Sequence, residues 1–332
     1  MKKSKITALI LALMFIFFSV FGCTPKKQNI DPESMTGSAP ISASMLALDT
    51  VIMVTLYNES ERPIIDEMGE LINKYDLVFS RTNENSELYK LNKNGGGTMS
   101  DDMRDIISLA VKISEESKGL FDITVAPLVE LWDFKSGNGK VPDKGLIEEK
   151  LKLVGYKNIS VEGNELSLKN GATIDLGGIA KGYIADKLKA FLLERNVKSA
   201  ILDLGGNISV IGSKPDGDEY SVGIARPFAE NADETIKILK LRDTSAVTSG
   251  SYQRYFYEGD KLYHHILDPR TGYGADSGLF SVTIIAGNSA KADALSTACF
   301  VMGIEGAKEL ISAEKVKAIF VTTDYSVIEY GE

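Results

Sequence analysis

Two segments far apart in the chain carry donors at spacings suited to a divalent cation and a phosphorylated ligand. The first, Ile174-Asp-Leu-Gly-Gly-Ile-Ala-Lys-Gly182, puts Asp175, the pair Gly177 and Gly178, and Lys181 where a strand passes into a helix. Asp175 can accept hydrogen bonds from ligand hydroxyl or ring N–H groups, and the glycines let a ligand approach the backbone closely. Lys181, one turn into the helix, can face phosphate or adenine, and the helix N-terminus favours anions. In the second, Ala290-Lys-Ala-Asp-Ala-Leu-Ser-Thr297, Asp293 and Thr297 stand four residues apart and therefore on one helix face. A carboxylate and a hydroxyl are oxygen ligands of the kind Mg²⁺ takes at ~2.1 Å, and two side chains leave room for water and diphosphate oxygens. Read singly, the first segment is also an ordinary glycine-rich turn, and the second a helix whose threonine bonds back to its own turn. Together they favour a Mg²⁺-diphosphate site.

The chain has only two histidines, His264 and His265, just before Ile266-Leu-Asp-Pro-Arg-Thr-Gly272. If Leu262 to Leu267 is a strand, the two rings point to opposite faces. A histidine of near-neutral pKa suits a general base; the turn signature Asp268-Pro-Arg-Thr-Gly272 alone would account for both as edge-strand residues. Tyr252, Tyr255, Phe256, Tyr257 and Tyr263 can stack on a flat ring, although aromatic-rich strands usually build core.

The elements that must position these groups follow from periodicity. Ala47 to Tyr57 reads as one strand, and Ile64 to Tyr75 has helical spacing. Ser100 to Ser117 is a second helix capped by Ser100, with acidic residues in its first turn. Gly119 to Trp132 is a loop entering a short apolar element, and helix returns at Lys144 to Leu153. Two short strands precede the glycine turn, and a helix over Gly178 to Leu193 carries the stripe Ile184, Leu188, Phe191. Strands are then expected at 200–204, 208–211, 220–224, 235–241, 246–248, 262–267 and 280–286. The Asp293 helix runs from Ser289, as N-cap, to Met302, with Gly303 ending it. A helix near 305–313 and strands at 318–322 and 326–330 close the chain. Strands in runs, without steady strand–helix alternation, indicate an α+β fold.

Met1-Lys-Lys-Ser-Lys5, an apolar run from Ile6 to Phe21 and then Gly22-Cys23-Thr24-Pro25 describe a secretory signal over residues 1–22. The run is short of the ~20 residues that a span needs. Residues 23–44, rich in Pro, Ser, Lys and Gly, read as a flexible tether, with globular sequence over 45–332. Cys299 is the only other cysteine, so the mature chain has no intramolecular disulfide and its core must hold it together. At 332 residues and 44% hydrophobic, one large domain or two joined halves are possible. A formal net charge of -9 argues against nucleic acid as a partner.

Phe121-Asp-Ile-Thr-Val, Pro127-Leu-Val-Glu-Leu-Trp132, Asp175-Leu-Gly-Gly-Ile-Ala-Lys-Gly182, Thr248-Ser-Gly-Ser-Tyr252, His265-Ile-Leu-Asp-Pro-Arg-Thr-Gly272 and Asp293-Ala-Leu-Ser-Thr297 occur in that order. In this the chain resembles the ApbE family of FAD:protein FMN transferases, over nearly everything after the tether. The resemblance implies a T-fold-like α+β architecture, FAD as substrate and Mg²⁺ as cofactor. It implies transfer of FMN to a threonine of an acceptor flavoprotein, such as a quinone oxidoreductase or electron-transport subunit, with release of AMP. By the family pattern Gly178 supplies a metal ligand through its carbonyl, beside Asp293 and Thr297, and His265 faces the site as general base. Leu120, Phe121 and Asp122 are expected to line the FAD pocket, with Ile266 at its border and Leu48 and Thr82 as further contacts. Thr248, Ser249 and Arg254 would bind phosphate or orient the acceptor. Gly22-Cys23 resembles a bacterial lipobox, which would lipidate Cys23 and tether the protein to the extracytoplasmic side of a membrane.

Two stretches depart from the family pattern. Ser80-Arg-Thr-Asn-Glu-Asn-Ser86 has Thr82 where many relatives have an aromatic, a change associated with hydrolysis of FAD to FMN and AMP. Leu48-Asp-Thr50 replaces a more common Met-Gly-Thr. Asn170-Gly-Ala-Thr173 resembles a flavin-acceptor core, but its place at the start of the strand to Asp175 argues for packing inside the fold.

Overall fold

The first strand begins earlier than composition suggests, because Ile41 is buried and pairs with Leu56 at the far end of a hairpin. A computed structural model describes residues 40–136, 139–231 and 233–332. The expected signal segment, Cys23 and most of the expected tether lie outside the described residues. The strand β1 (Ile41–Ala47) thus takes up residues 41–44 of the stretch assigned to the tether. The single strand expected over Ala47 to Tyr57 is instead the end of β1, a two-residue turn and β2 (Thr50–Leu56). Both turn residues, Leu48 and Asp49, have positive φ, at 55° and 57°, which gives the chain the local twist that a tight antiparallel hairpin needs.

Next come α1 (Arg62–Phe79), α2 (Glu87–Asn94), β3 (Gly96–Thr98), α3 (Asp101–Glu116), α4 (Ala126–Trp132) and α5 (Lys144–Leu151). Ser100 caps α3 as expected, accepting from Met103 N. The strands β4 (Ile159–Glu162) and β5 (Glu165–Leu168) lead through the glycine turn to α6 (Ala180–Glu194). Beyond it lie β6 (Ser199–Leu204), β7 (Asn207–Gly212), β8 (Tyr220–Ala225), β9 (Thr235–Leu241), β10 (Ser245–Gly250), β11 (Tyr255–Glu258) and β12 (Lys261–His264). The chain closes with β13 (Leu279–Ala286), α7 (Ser289–Glu314), β14 (Lys317–Thr322) and β15 (Val327–Tyr330).

The main sheet has eight strands in the order β1-β2-β6-β7-β10-β13-β14-β15, antiparallel throughout. Its front face carries α6 and α7, which pack on each other; α1 and α3 lie against them. The stripe of α6 is Ile184, Leu188 and Leu192, all fully buried; Phe191, which the spacing placed there, is only partly buried. Each such side chain is worth roughly 1.5–3 kcal/mol on burial, which fixes the helix by its inner face. The back face is covered over β7 and β10 by the β8–β9 hairpin, with Val210, Tyr220, Ile224, Leu239 and Ala246 between them. A smaller core holds Leu128, Trp132, Ile147 and Leu267. Phe256 and Tyr263 stack at 5.4 Å and pack against Trp132, so these two aromatics are core.

One helix boundary differs from expectation, and the break expected at Gly303 is present. The N-cap of α7 is Asn288, whose Oδ1 accepts from Lys291 N, and Ser289 is already helical and buried. Gly303 adopts φ 70°, ψ 174° and kinks the helix, which resumes after it. Glycine is needed there because an L side chain resists that left-handed backbone.

Candidate active site

The glycine turn and α7 meet because α6 and α7 pack with almost no space between their backbones. A Cβ on Gly182 would stand 2.3 Å from Ser289 O and 2.7 Å from Ala290 Cα, so only glycine permits this approach. Asp186 reinforces it from α6: its carboxylate accepts from Ser289 N at 2.8 Å and Ala290 N at 2.9 Å, holding the start of α7. At that crossing Gly182 N donates to Asp293 Oδ2 at 2.9 Å.

Asp293 and Thr297, one turn apart on α7, both face this junction. Thr297 Oγ1 lies 3.6 Å from where a Gly178 Cβ would be, and the Phe121 ring lies 3.1 Å from the same point. Ser249, from β10, hydrogen-bonds Thr297 Oγ1 at 3.1 Å and Ser296 Oγ at 2.7 Å. Gly178, Phe121, Ser249, Asp293 and Thr297 therefore gather from the glycine turn, the loop before α4, β10 and α7. Burial raises the Asp293 carboxyl above its ordinary range; Lys181, the Gly182 N–H and the Asn207 amide each pull it partly back. Asn207 is fully buried at the start of β7, with Oδ1 accepting from Ser289 Oγ at 2.8 Å and its amide N–H side toward Asp293.

His265 lies just beyond β12, which ends at His264, so the two rings are separated by the strand end and not by strand alternation alone. His264 is buried, with Nε2 at 3.1 Å from Ala275 O. His265 N donates to Arg254 O at 3.1 Å, and Nδ1 is 3.3 Å from the same oxygen. A carbonyl only accepts, so Nδ1 carries the proton and the lone pair is on Nε2. Burial, then the charges of Arg254, His264 and Lys181, push the imidazole down to about 3, correcting the near-neutral value expected of it. The ring is thus neutral at physiological pH. Ile266, the next residue, is buried and accepts from Ala275 N at 2.9 Å. Asp268 accepts from the N–H groups of Arg270, Thr271 and Gly272, and Trp132 Nε1 donates to Gly272 O at 2.7 Å, tying this turn to α4.

Asp175 is occupied by protein. Its Oδ1 accepts from Gly177 N at 2.7 Å and its Oδ2 from Arg81 Nε at 2.9 Å, while Arg81 also reaches Glu130. Arg81 was not singled out by sequence; 94 residues separate it from Asp175, and no local pattern links them. Asn207 and Gly182 were missed for the same reason.

Asp122 spends both oxygens on its own chain: Oδ1 accepts from Thr124 N and Oγ1, and Oδ2 from Tyr156 N at 2.6 Å. It is buried, which raises its carboxyl, and it holds the turn to Thr124 and Tyr156. Thr248 is on the opposite sheet face from its neighbour Ser249, with Oγ1 on Thr283 Oγ1 at 2.8 Å. Strand alternation forces that separation. Leu120 is a partly buried core neighbour, and Thr82 is exposed. Leu48 packs on the core from the hairpin turn, and Arg254 Nη2 reaches Asp49 O at 3.5 Å, which brings that turn to His265. Thr173 is partly buried.

Among the described residues no group of three or more His, Cys, Asp or Glu side chains could hold a metal ion, and no helix is long and apolar enough to cross a membrane. A set made of one carboxylate, one hydroxyl and a backbone carbonyl is not such a group. Its donors nevertheless fit a hard cation: all are oxygens, and the lone carboxylate is buried with its charge only partly offset.

The sequence model of the ApbE family matches residues 48–320. A Klebsiella pneumoniae protein named FAD:protein FMN transferase is 33% identical over 301 residues, covering 89% of this chain and 93% of its own. A Treponema pallidum protein of the same name is 32% identical, covering 86% and 85%. Among solved structures, the Thermotoga maritima ApbE protein aligns with TM-score 0.82 at 33% identity, over 88% of this chain and 97% of its own. The Pseudomonas stutzeri flavinyl transferase ApbE aligns at 0.78 and 26%, over 90% and 96%.

Proposed function

Because the chain belongs to the ApbE family, we propose that it transfers the FMN part of FAD to a threonine hydroxyl of an acceptor protein and releases AMP. The names of its relatives support the transferase class. The observation that carries the reading is the junction of Gly178, Asp293 and Thr297 beside His265 and Lys181.

In this reading the Nε2 lone pair of His265 takes the proton of the acceptor threonine. The threonine oxygen then bonds to the FMN phosphorus as the bond to the AMP oxygen breaks. The Nδ1–H to Arg254 O bond fixes the tautomer throughout. The base is weak in the free protein because the ring is buried and because Arg254 and Lys181 stand near; the diphosphate of bound FAD would oppose those charges and raise its basicity. Lys181 offsets charge on the leaving phosphate. Mg²⁺, held by Asp293 Oδ1, Thr297 Oγ1 and the Gly178 carbonyl, would supply charge neutralisation at the diphosphate oxygens. Phosphoryl transfer needs positioning and electrostatics above all, which a rigid α6–α7 junction provides. The same reading includes lipidation of Cys23 and an extracytoplasmic, membrane-tethered location, supported by the N-terminal sequence pattern.

Hydrolysis of FAD to FMN and AMP is the second reading, favoured by the exposed Thr82 at the position where an aromatic was expected. One assay of FAD, Mg²⁺ and an acceptor domain, read by in-gel flavin fluorescence and AMP release, separates the two. A fluorescent acceptor band supports transfer; AMP released at the same rate without acceptor supports hydrolysis. FAD that survives prolonged incubation with Mg²⁺ would mark a non-catalytic flavin-binding protein. Labelling that persists in Asp293→Ala would overturn the metal role.

A further inference from the structure

Over β1 and β2 the back face of the main sheet is open and carries apolar side chains, and the turn that joins these strands is bonded by Arg254. On β1 and β2 the inward side chains Ala47, Ile52, Val54 and Leu56 are buried, whereas Leu46, Val51 and Met53 are 83%, 51% and 45% exposed. Leu46 and Val51 are direct cross-strand partners, so the three side chains form one strip. The register carries this strip inward: Met53 pairs with Asp203, Asp203 with Ile208, and Ile208 with Ala246. Paired residues share a face. The strip therefore runs into a cleft of about 210 Å³ between the sheet and the β8–β9 hairpin. Asp203, Val222, Ile224, Thr248, Tyr252 and Gln253 line that cleft. Asp203 Oδ1 accepts from Gly205 N and Gly206 N, and Oδ2 has no hydrogen bond of its own among the described residues. The lining then passes from Gln253 to Arg254, which bonds both His265 and the Asp49 turn.

We propose that this strip and cleft are the docking groove for an extended segment of the acceptor protein, one with apolar side chains at alternate positions and a hydrogen-bond donor for Asp203. The proposal rests on the transferase reading, which requires a polypeptide to reach His265, and the strip ends at the Asp49 turn, which Arg254 bonds while its carbonyl holds the His265 ring. Alternating side chains of an extended segment match the spacing of Val51 and Met53, two residues apart on one face of β2. Thr248 also gains a role here: on the back face it belongs to the acceptor side, away from Asp293.

The test uses an acceptor domain that the wild-type chain flavinylates. Val51→Glu with Met53→Glu is expected to raise the KM for that domain by about tenfold or more, the loss of one apolar anchor, with the KM for FAD unchanged. An acceptor KM within twofold of wild type would overturn the proposal. Should the double variant unfold, a photo-crosslinking residue at position 53 decides: capture of the acceptor there, but not from the equally exposed position 193 on α6, supports the groove. Equal capture at both overturns it, as does a wild-type dimer that Met53→Glu splits, which would assign the face to a second copy. Wild-type protein that labels no acceptor at all would instead sink the transferase reading itself.

Discussion

Replacing Asp293 by asparagine should stabilise the metal-free protein and abolish its response to Mg²⁺. In the folded state burial raises the Asp293 carboxyl, so it keeps its proton to higher pH than in the unfolded chain. Its contribution to stability is full below the ordinary carboxylate value of 3.8 and is lost as pH rises through the raised folded value. Within that window the slope is about 1.4 kcal/mol per pH unit. Asparagine keeps an oxygen acceptor for Gly182 N–H, bonded at 2.9 Å in the native protein, and carries no charge to desolvate. At pH 7.5 in EDTA the variant is therefore expected to be the more stable by on the order of 1 kcal/mol, since each unit of displacement is worth about 1.4 kcal/mol. For domains of 150–250 residues this corresponds to roughly 2–4 °C in Tm. With Mg²⁺ at about 100 times its Kd, the wild type gains about 2.7 kcal/mol and the order inverts. Asp122 and Asp203 are also raised by burial, but they are common to both proteins and cancel in the difference; Asp186, raised by burial and in part by the Asp293 charge, is relieved of that charge in the variant, which adds to its gain at pH 7.5. Scanning calorimetry from pH 5 to 8, with and without Mg²⁺, measures all of this. An asparagine variant that melts lower in EDTA, or gains as much from Mg²⁺ as the wild type, refutes the account.

His265→Gln should lower transfer by about 10²–10⁴-fold with FAD affinity retained. Because the free imidazole titrates at about 3, kcat/KM should show no His265-dependent fall between pH 7 and 5; an acid limb near 6.5 that vanishes in the variant would contradict this. Gly182→Ala drives a methyl against backbone at 2.3 Å and should cost about 1–3 kcal/mol or more, read by urea denaturation; an unchanged midpoint would show that α6 and α7 can separate. Arg81→Ala should raise the KM for FAD more than it lowers kcat, because Asp175 loses the guanidinium that orients it, and Arg81→Lys should restore only part of that loss. A loss of kcat alone would place Arg81 in the chemistry.

Much of the fold was legible in the chain because it is written in local periodicity. The strand Thr235–Leu241 and the cap Ser100 are where β-branched alternation and an acidic first turn put them. The hairpin at Leu48 was not, because neither turn residue is a glycine and the apolar Met45-Leu46-Ala47 before it runs on into the β-branched Thr50-Val51-Ile52. Asn288 and Ser289 are both good caps, and only packing against Asp186 and Asn207 draws the serine into the helix.

By itself the sequence determined the residue types of the site: one carboxylate and one hydroxyl a helical turn apart, a glycine pair before a lysine, and a histidine ahead of a tight turn. Those follow from spacing along a single element, whose geometry each residue inherits from its neighbours. Only the tertiary structure decided how each polar group is spent. It gave Asp122 to a local turn, tied Asp175 to Arg81, sent Thr248 to the sheet face opposite Ser249, and kept His265 neutral by burying it near two cations. The reason is that hydrogen bonds and desolvation depend on atoms brought close from distant parts of the chain, and no local pattern encodes that proximity.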